Sequence, residues 1–156
     1  MKLFLATPLS AFPDRSQFLG FQSWMDRVCR SFNKLRPDVE IHCVALRSNG
    51  QDFTQPEVAV QEDLCSISQS DGFVLIYPEV LPSSALIELG FALGLDKPCL
   101  IVTPKRSCLP FLARNLDKAR YGVEIVEAQK VYSEKTVKAI TSFSQRYMSL
   151  VTAKAS

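Results

Sequence analysis

A carboxylate, Glu88, stands about one turn into a helical pattern that follows Pro78-Glu79-Val80-Leu81-Pro82-Ser83-Ser84. Its neighbours Ala85, Leu86, Leu89, Gly90, Phe91 and Ala92 are small or apolar. With Ser83 or Ser84 as the N-cap, the unpaired N–H groups and dipole of the helix start favour a negative charge and should keep Glu88 ionised. An ionised, positioned carboxylate can attack an anomeric carbon and form a glycosyl-enzyme ester. The plain structural reading is a first-turn glutamate that stabilises its own helix, and on pattern alone that is the commoner case.

Other chemistries find less support. The sequence holds no G-x-x-x-x-G-K-[ST] phosphate loop, no G-x-G-x-x-G and no G-x-S-x-G elbow. The single histidine, His42, falls inside an apolar strand pattern and reads as a packed or edge residue. Neither paired cysteines nor further histidines are present, which argues against a transition-metal site. Asp63 lies in mid-helix and reads equally as solvent-facing or functional, whereas Asp71 in Asp71-Gly72 reads as a turn residue. Lys105, Arg106 and Arg114 could meet a phosphate, although a solvated rim is the commoner role.

The elements that must position Glu88 follow from periodicity. Lys2 to Thr7 predicts a first strand, and helical spacing of Phe18, Phe21, Trp24, Met25, Val28 and Phe32 predicts a helix from Asp14 to Leu35. Glu40 to Leu46 predicts the second strand, and Pro56 to Ser70 the second helix with Pro56 in its first turn. Phe73 to Tyr77, apolar throughout, predicts a central parallel strand leading into the Glu88 helix, which stops at Asp96-Lys97-Pro98. Cys99 to Thr103 predicts the fourth strand, Leu109 to Leu116 a short helix, Tyr121 to Val126 the fifth strand, and Glu134 to Leu150 the last helix.

Alternating strands and helices predict an α/β, flavodoxin-like sheet of five parallel strands in the order 2-1-3-4-5, with helices on both faces. That order puts the switch point between strands one and three, and so sets the Thr7–Phe12 loop beside the Pro78–Ser84 loop. The ligand pocket is expected between them. Ala6, Thr7, Pro8, Leu9 and Ser10 would approach a ligand with their backbone, and Tyr77, Ser83 and Ser84 would line the other side. Tyr77 also has an ordinary core reading, and Ser84 an ordinary capping one.

Composition bounds the rest. The 156 residues are 47% hydrophobic and 22% charged, which fits one globular domain over 1–151 with a frayed tail at 152–156. A formal net charge of +2 gives no strong field for nucleic acid or an acidic membrane, so neither is an expected partner. The apolar runs are too short to span a bilayer, and a strand directly after Met1 leaves no room for a signal peptide. Five scattered cysteines, Cys29, Cys43, Cys65, Cys99 and Cys108, point to free, mostly buried thiols and a cytoplasmic setting.

The run Ser83-Ser84 followed by Glu88-Leu89-Gly90-Phe91-Ala92-Leu93, closed by Lys97-Pro98, is similar to nucleoside 2-deoxyribosyltransferases and to the TIR-like bacterial domains that share their nucleotide-handling fold. Leu3-Phe4-Leu5-Ala6-Thr7-Pro8-Leu9 resembles the family's first strand and sugar-side loop, and 62–72 its passage from the second helix to the third strand. The resemblance covers about two-thirds of the chain and implies that Glu88 is the catalytic nucleophile with Asp63 beside it. It implies cleavage of an N-glycosidic bond in a small-molecule nucleoside or nucleotide by hydrolysis or base exchange, with no cofactor. NAD enters only as a substrate of the TIR-like branch, which also implies self-association into a homo-oligomer. A nucleotide-sensing or self-associating module without turnover is the other function the resemblance allows. The chain departs from the transferases at three places: Pro82 stands where they usually carry an aspartate, Ser83-Ser84 where they often carry a glycine beside the helix start, and Phe4 where many carry a tyrosine that bonds the glutamate.

Overall fold

The structure of the chain, a computed structural model, describes residues 1–9, 15–47, 55–79 and 83–154. Among these, the order is β1 (Lys2–Ala6), α1 (Arg15–Leu35), β2 (Glu40–Cys43), α2 (Val44–Arg47), α3 (Pro56–Ser68), β3 (Gly72–Ile76), α4 (Ala85–Gly94), β4 (Cys99–Thr103), α5 (Leu116–Ala119), β5 (Val123–Glu127) and α6 (Glu134–Lys154). The strands form one parallel sheet, β2-β1-β3-β4-β5, as the alternating pattern predicts. Parallel neighbours require a crossover, and the right-handed crossovers put helices on both faces. The central strands β3 and β4 are therefore buried along their whole length.

Strand alternation divides the core in two. Leu3 and Leu5 of β1, Val74 and Ile76 of β3, and Leu100 and Val102 of β4 pack under Met25, Val28 and Phe32 of α1 and Ile140 and Phe143 of α6. Phe4, Ala6, Phe73, Leu75, Cys99 and Ile101 face the other way, toward Ile67 of α3 and Ala85, Leu89 and Ala92 of α4. On this second face Phe4 stacks on both His42, at 5.3 Å, and Phe73, at 5.7 Å. His42 is thus a packed residue of the edge strand, as its place in an apolar pattern suggests.

The second strand is shorter than predicted. It ends at Cys43, and Val44–Arg47 turns into α2. Cys43 pairs with Leu5, and β1 itself ends at Ala6, so residues beyond Cys43 have no ladder to join and bond locally instead. The predicted helix over Leu109–Leu116 is also broken. Leu109 precedes Pro110 and is held extended at φ −78° and ψ 149°, away from the helical region that a following proline disfavours. Two 3₁₀ turns, Arg106–Cys108 and Phe111–Ala113, and then α5 occupy this connection.

The stop after α4 is a Schellman turn. Lys97 N–H donates to the Ala92 carbonyl and Asp96 N–H to that of Leu93, with Asp96 left-handed at φ 55°. At the chain's end α6 continues past Leu150 to Lys154, through residues that pattern alone assigns to the tail. No helix among the described residues is long and apolar enough to cross a membrane.

Candidate active site

The site begins where β3 hands over to α4. Tyr77 N–H donates to the Val102 carbonyl at 2.8 Å, which carries the β3–β4 pairing one residue beyond the strand. Ser83 Oγ then accepts the Ala85 N–H at 3.1 Å, while Ser84 already has helical dihedrals, φ −57° and ψ −26°, and makes no capping bond. Ser83 therefore caps the helix and Ser84 is left exposed at its first step. Glu88 N–H donates to the Ser84 carbonyl at 3.1 Å, so Glu88 sits beyond the unpaired donors of the helix start.

Ala85, Leu89 and Ala92 form the face of α4 buried against the sheet. Glu88 lies at the flank of that face, half-buried, and α3 packs alongside. Burial first, and then the charge of Asp63 on α3, push the Glu88 carboxyl up from 4.5 to about 7. This corrects the expectation of a firmly ionised carboxylate. The helix-start field is weak where the local donors are already bonded, and removal from water next to a second carboxylate outweighs it.

Asp63 is half-buried while the preceding Glu62 is exposed, and it is the charge of Asp63 that Glu88 feels. The structure thus brings together the two residues singled out for catalysis. A third residue keeps their helices in register: Lys97 Nζ donates to the Ser68 and Ser70 carbonyls, at 2.8 and 2.5 Å. A lysine just past the end of α4 therefore closes the end of α3. In the sequence Lys97 reads only as part of a helix stop, because nothing local reveals carbonyls some thirty residues earlier.

The segment that follows β1 leaves the sheet next to β3, with Ala6 paired to Leu75. Ala6, Thr7 and Pro8 are buried and Leu9 is half-buried, while Ser10 lies outside the described residues, as do 11–14 and 80–82 on either side of the expected pocket. Among the described residues, Thr7 Oγ1 is a buried side-chain oxygen with no hydrogen-bond partner. An unsatisfied buried hydroxyl costs about 1–3 kcal/mol, so its place beside the switch point is notable. Tyr77 is packed in the core with Phe4, Leu75 and Ala85.

The basic residues after β4 are largely taken up by the protein itself. Arg106 donates to both carboxylate oxygens of Asp117 and also faces Glu127, and Arg114 Nε donates to the Leu109 carbonyl at 2.9 Å. Asp71 behaves as the turn residue it resembles, accepting the Lys2 N–H at 2.7 Å. Four of the five cysteines are buried free thiols, and Cys65 is exposed. Among the described residues, no group of three His, Cys, Asp or Glu side chains is placed to hold a metal ion.

No protein-family model matches this chain, and no curated protein matches it in sequence. Solved structures do match in fold. One is the Clostridium botulinum CMP N-glycosidase BcmB, with a TM-score of 0.61 and 16% identity over 90% of this chain and 98% of that one. Another is the solution structure of BlsM, with a TM-score of 0.68 and 22% identity over 97% of this chain and 93% of that one. The chain therefore has the α/β fold on which BcmB carries its N-glycosidase activity.

Proposed function

We propose that this chain cleaves the N-glycosidic bond of a small-molecule nucleotide, with Glu88 as the carboxylate that meets the anomeric carbon. The observation that carries the reading is the Asp63–Glu88 pair at the β3–α4 junction of a sheet whose fold is shared with a CMP N-glycosidase. In the proposed step a Glu88 oxygen bonds to C1′ as the C1′–N bond breaks, and the electron pair of that bond leaves with the base. The base takes a proton from solvent where its chemistry requires one. Water then attacks C1′ of the glycosyl ester, releasing the sugar and returning the carboxylate. An acceptor base in place of water would give exchange.

A carboxyl near 7 is divided between its two forms at neutral pH. The positive charge that develops on the sugar ring in the transition state favours the ionised form, so a poised carboxylate gains more from the reacting substrate than one already stabilised by neighbours. Asp63 acts through Glu88 as a positioning and tuning residue. Ser84 and the backbone of Thr7 to Leu9 hold the sugar side, and Ser83 keeps the helix start in place.

The experiment is a chromatographic assay of the purified chain against CMP, other nucleoside monophosphates, ribonucleosides, deoxyribonucleosides and NAD. Release of a free base from one class supports the reading and names the substrate. The second reading is a nucleotide-sensing or self-associating TIR-like module without turnover. It is favoured by Phe4, which is buried in a ring stack and has no hydroxyl to offer Glu88. Saturable binding with the ligand recovered intact would select it.

A further inference from the structure

The carboxyl ends of β4 and β5 open on a cavity of about 710 Å³, within the range of small-molecule sites. Lys105, Lys130 and Lys135 line it, together with Pro104, Ser133 and Glu127. The one carboxylate among the described lining residues, Glu127, accepts the Arg106 N–H at 3.3 Å and faces the Arg106 guanidinium at 3.5 Å, a cation it shares with Asp117. Lys135 Nζ is fixed by the Glu127 carbonyl at 2.6 Å, a neutral partner that leaves its charge intact. Among the described residues, neither Lys105 nor Lys130 has an ion-pair partner. Three ammonium groups thus share one concave wall with a single carboxylate, a net positive lining that a bound polyanion would relieve.

The cavity lies at the carboxyl end of the sheet, the end at which open parallel sheets bind ligands, two strands away from the switch point between β1 and β3. It is also separate from Glu88. Ala128, which lines the cavity, packs in the core on the α1/α6 face, whereas Glu88 is on α4, which packs on the other face of the sheet. Among the described residues, no aromatic side chain lines the cavity to stack on a base. We propose that this cavity binds a compact phosphorylated small molecule without a base, such as pyrophosphate or a sugar phosphate, held by Lys105, Lys130 and Lys135.

Isothermal titration calorimetry of the full chain with pyrophosphate, and separately with ribose 5-phosphate, tests this. The expected result is saturable binding of at least one probe, weakened tenfold or more in the Lys105→Gln/Lys130→Gln double variant. A thermal melt of the double variant matching that of the unsubstituted chain shows that it is folded. Pyrophosphate binding assigns recognition to phosphate alone, and binding of ribose 5-phosphate only adds the sugar. Absence of saturable binding by both probes, equal affinity in the double variant, or equal affinity for sulfate would each overturn the proposal.

Discussion

Asp63 on α3 faces Glu88 on α4 closely enough that its charge adds to burial in raising the Glu88 carboxyl to about 7. Two acidic groups on neighbouring helices, one half-withdrawn from water and poised near neutrality, form an arrangement that costs stability.

The cost is measurable through pH. Glu88 binds its proton more tightly in the folded chain than its ordinary value of 4.5 allows. Stability is therefore fully present below about 4.5, where both states are protonated, and is lost as pH rises through about 7. The loss amounts to about 3 kcal/mol once ionisation is complete. Glu88→Gln should remove this penalty. Its melting temperature is expected to exceed that of the unsubstituted chain by several degrees at pH 8 and to match it near pH 4. Thermal melts across that range check the difference.

Asp63→Asn removes the like charge but leaves the burial. The Glu88 carboxyl should then titrate at lower pH, though still above its ordinary value, because burial is the larger cause. The rising limb of the pH–rate profile is expected to move to lower pH. Carbon-13 NMR of the Glu88 carboxyl in the ligand-free chain should report the same displacement. A variant that lost activity without moving either limb would make Asp63 structural only.

Thr7→Val replaces a buried hydroxyl that has no partner among the described residues with an apolar group of the same shape. The ligand-free chain should keep its stability or gain up to about 1 kcal/mol. If the hydroxyl bonds the substrate, KM should rise about tenfold, roughly the worth of one hydrogen bond. Melting temperature and steady-state kinetics measured together separate these effects.

Arg36 supplies a control far from the site. It is 8% exposed, binds both carboxylate oxygens of Asp38 at 2.9 and 2.7 Å, and donates to Ser144 Oγ at 2.9 Å, tying the end of α1 to α6. Arg36→Met should lower unfolding stability by about 1–3 kcal/mol and leave kcat unchanged at temperatures where the variant is folded. Denaturant titration and the base-release assay check the two halves.

What the sequence makes legible follows from how local each cause is. The runs Phe73–Ile76 and Cys99–Thr103 are apolar on both faces, and only a central parallel strand buries both, so sheet order and the place of the switch point could be read directly. The end of β2 at Cys43 could not be read, because it depends on where β1 stops. The break at Leu109-Pro110 was legible in principle, since a residue before proline resists the helix, but the apolar spacing around it outweighed that signal. Glu88 was legible as a candidate from its place after Ser83-Ser84. Its protonation was not, because that depends on Asp63 some twenty-five residues earlier and on burial that only the packed helices create. Lys97 bonding the end of α3 was hidden for the same reason.

The central claim is that Glu88 makes and breaks the glycosidic bond, and one comparison tests it most directly. Base release from the best substrate of the nucleotide panel should be followed for the unsubstituted chain and for Glu88→Gln, with substrate binding to both measured by calorimetry. The account predicts that Glu88→Gln binds the substrate within about threefold of the unsubstituted chain, since the change is nearly isosteric, and releases base at least about a thousandfold more slowly, consistent with loss of an attacking group. Full turnover in Glu88→Gln would contradict the account and leave the carboxylate as a buried helix residue only.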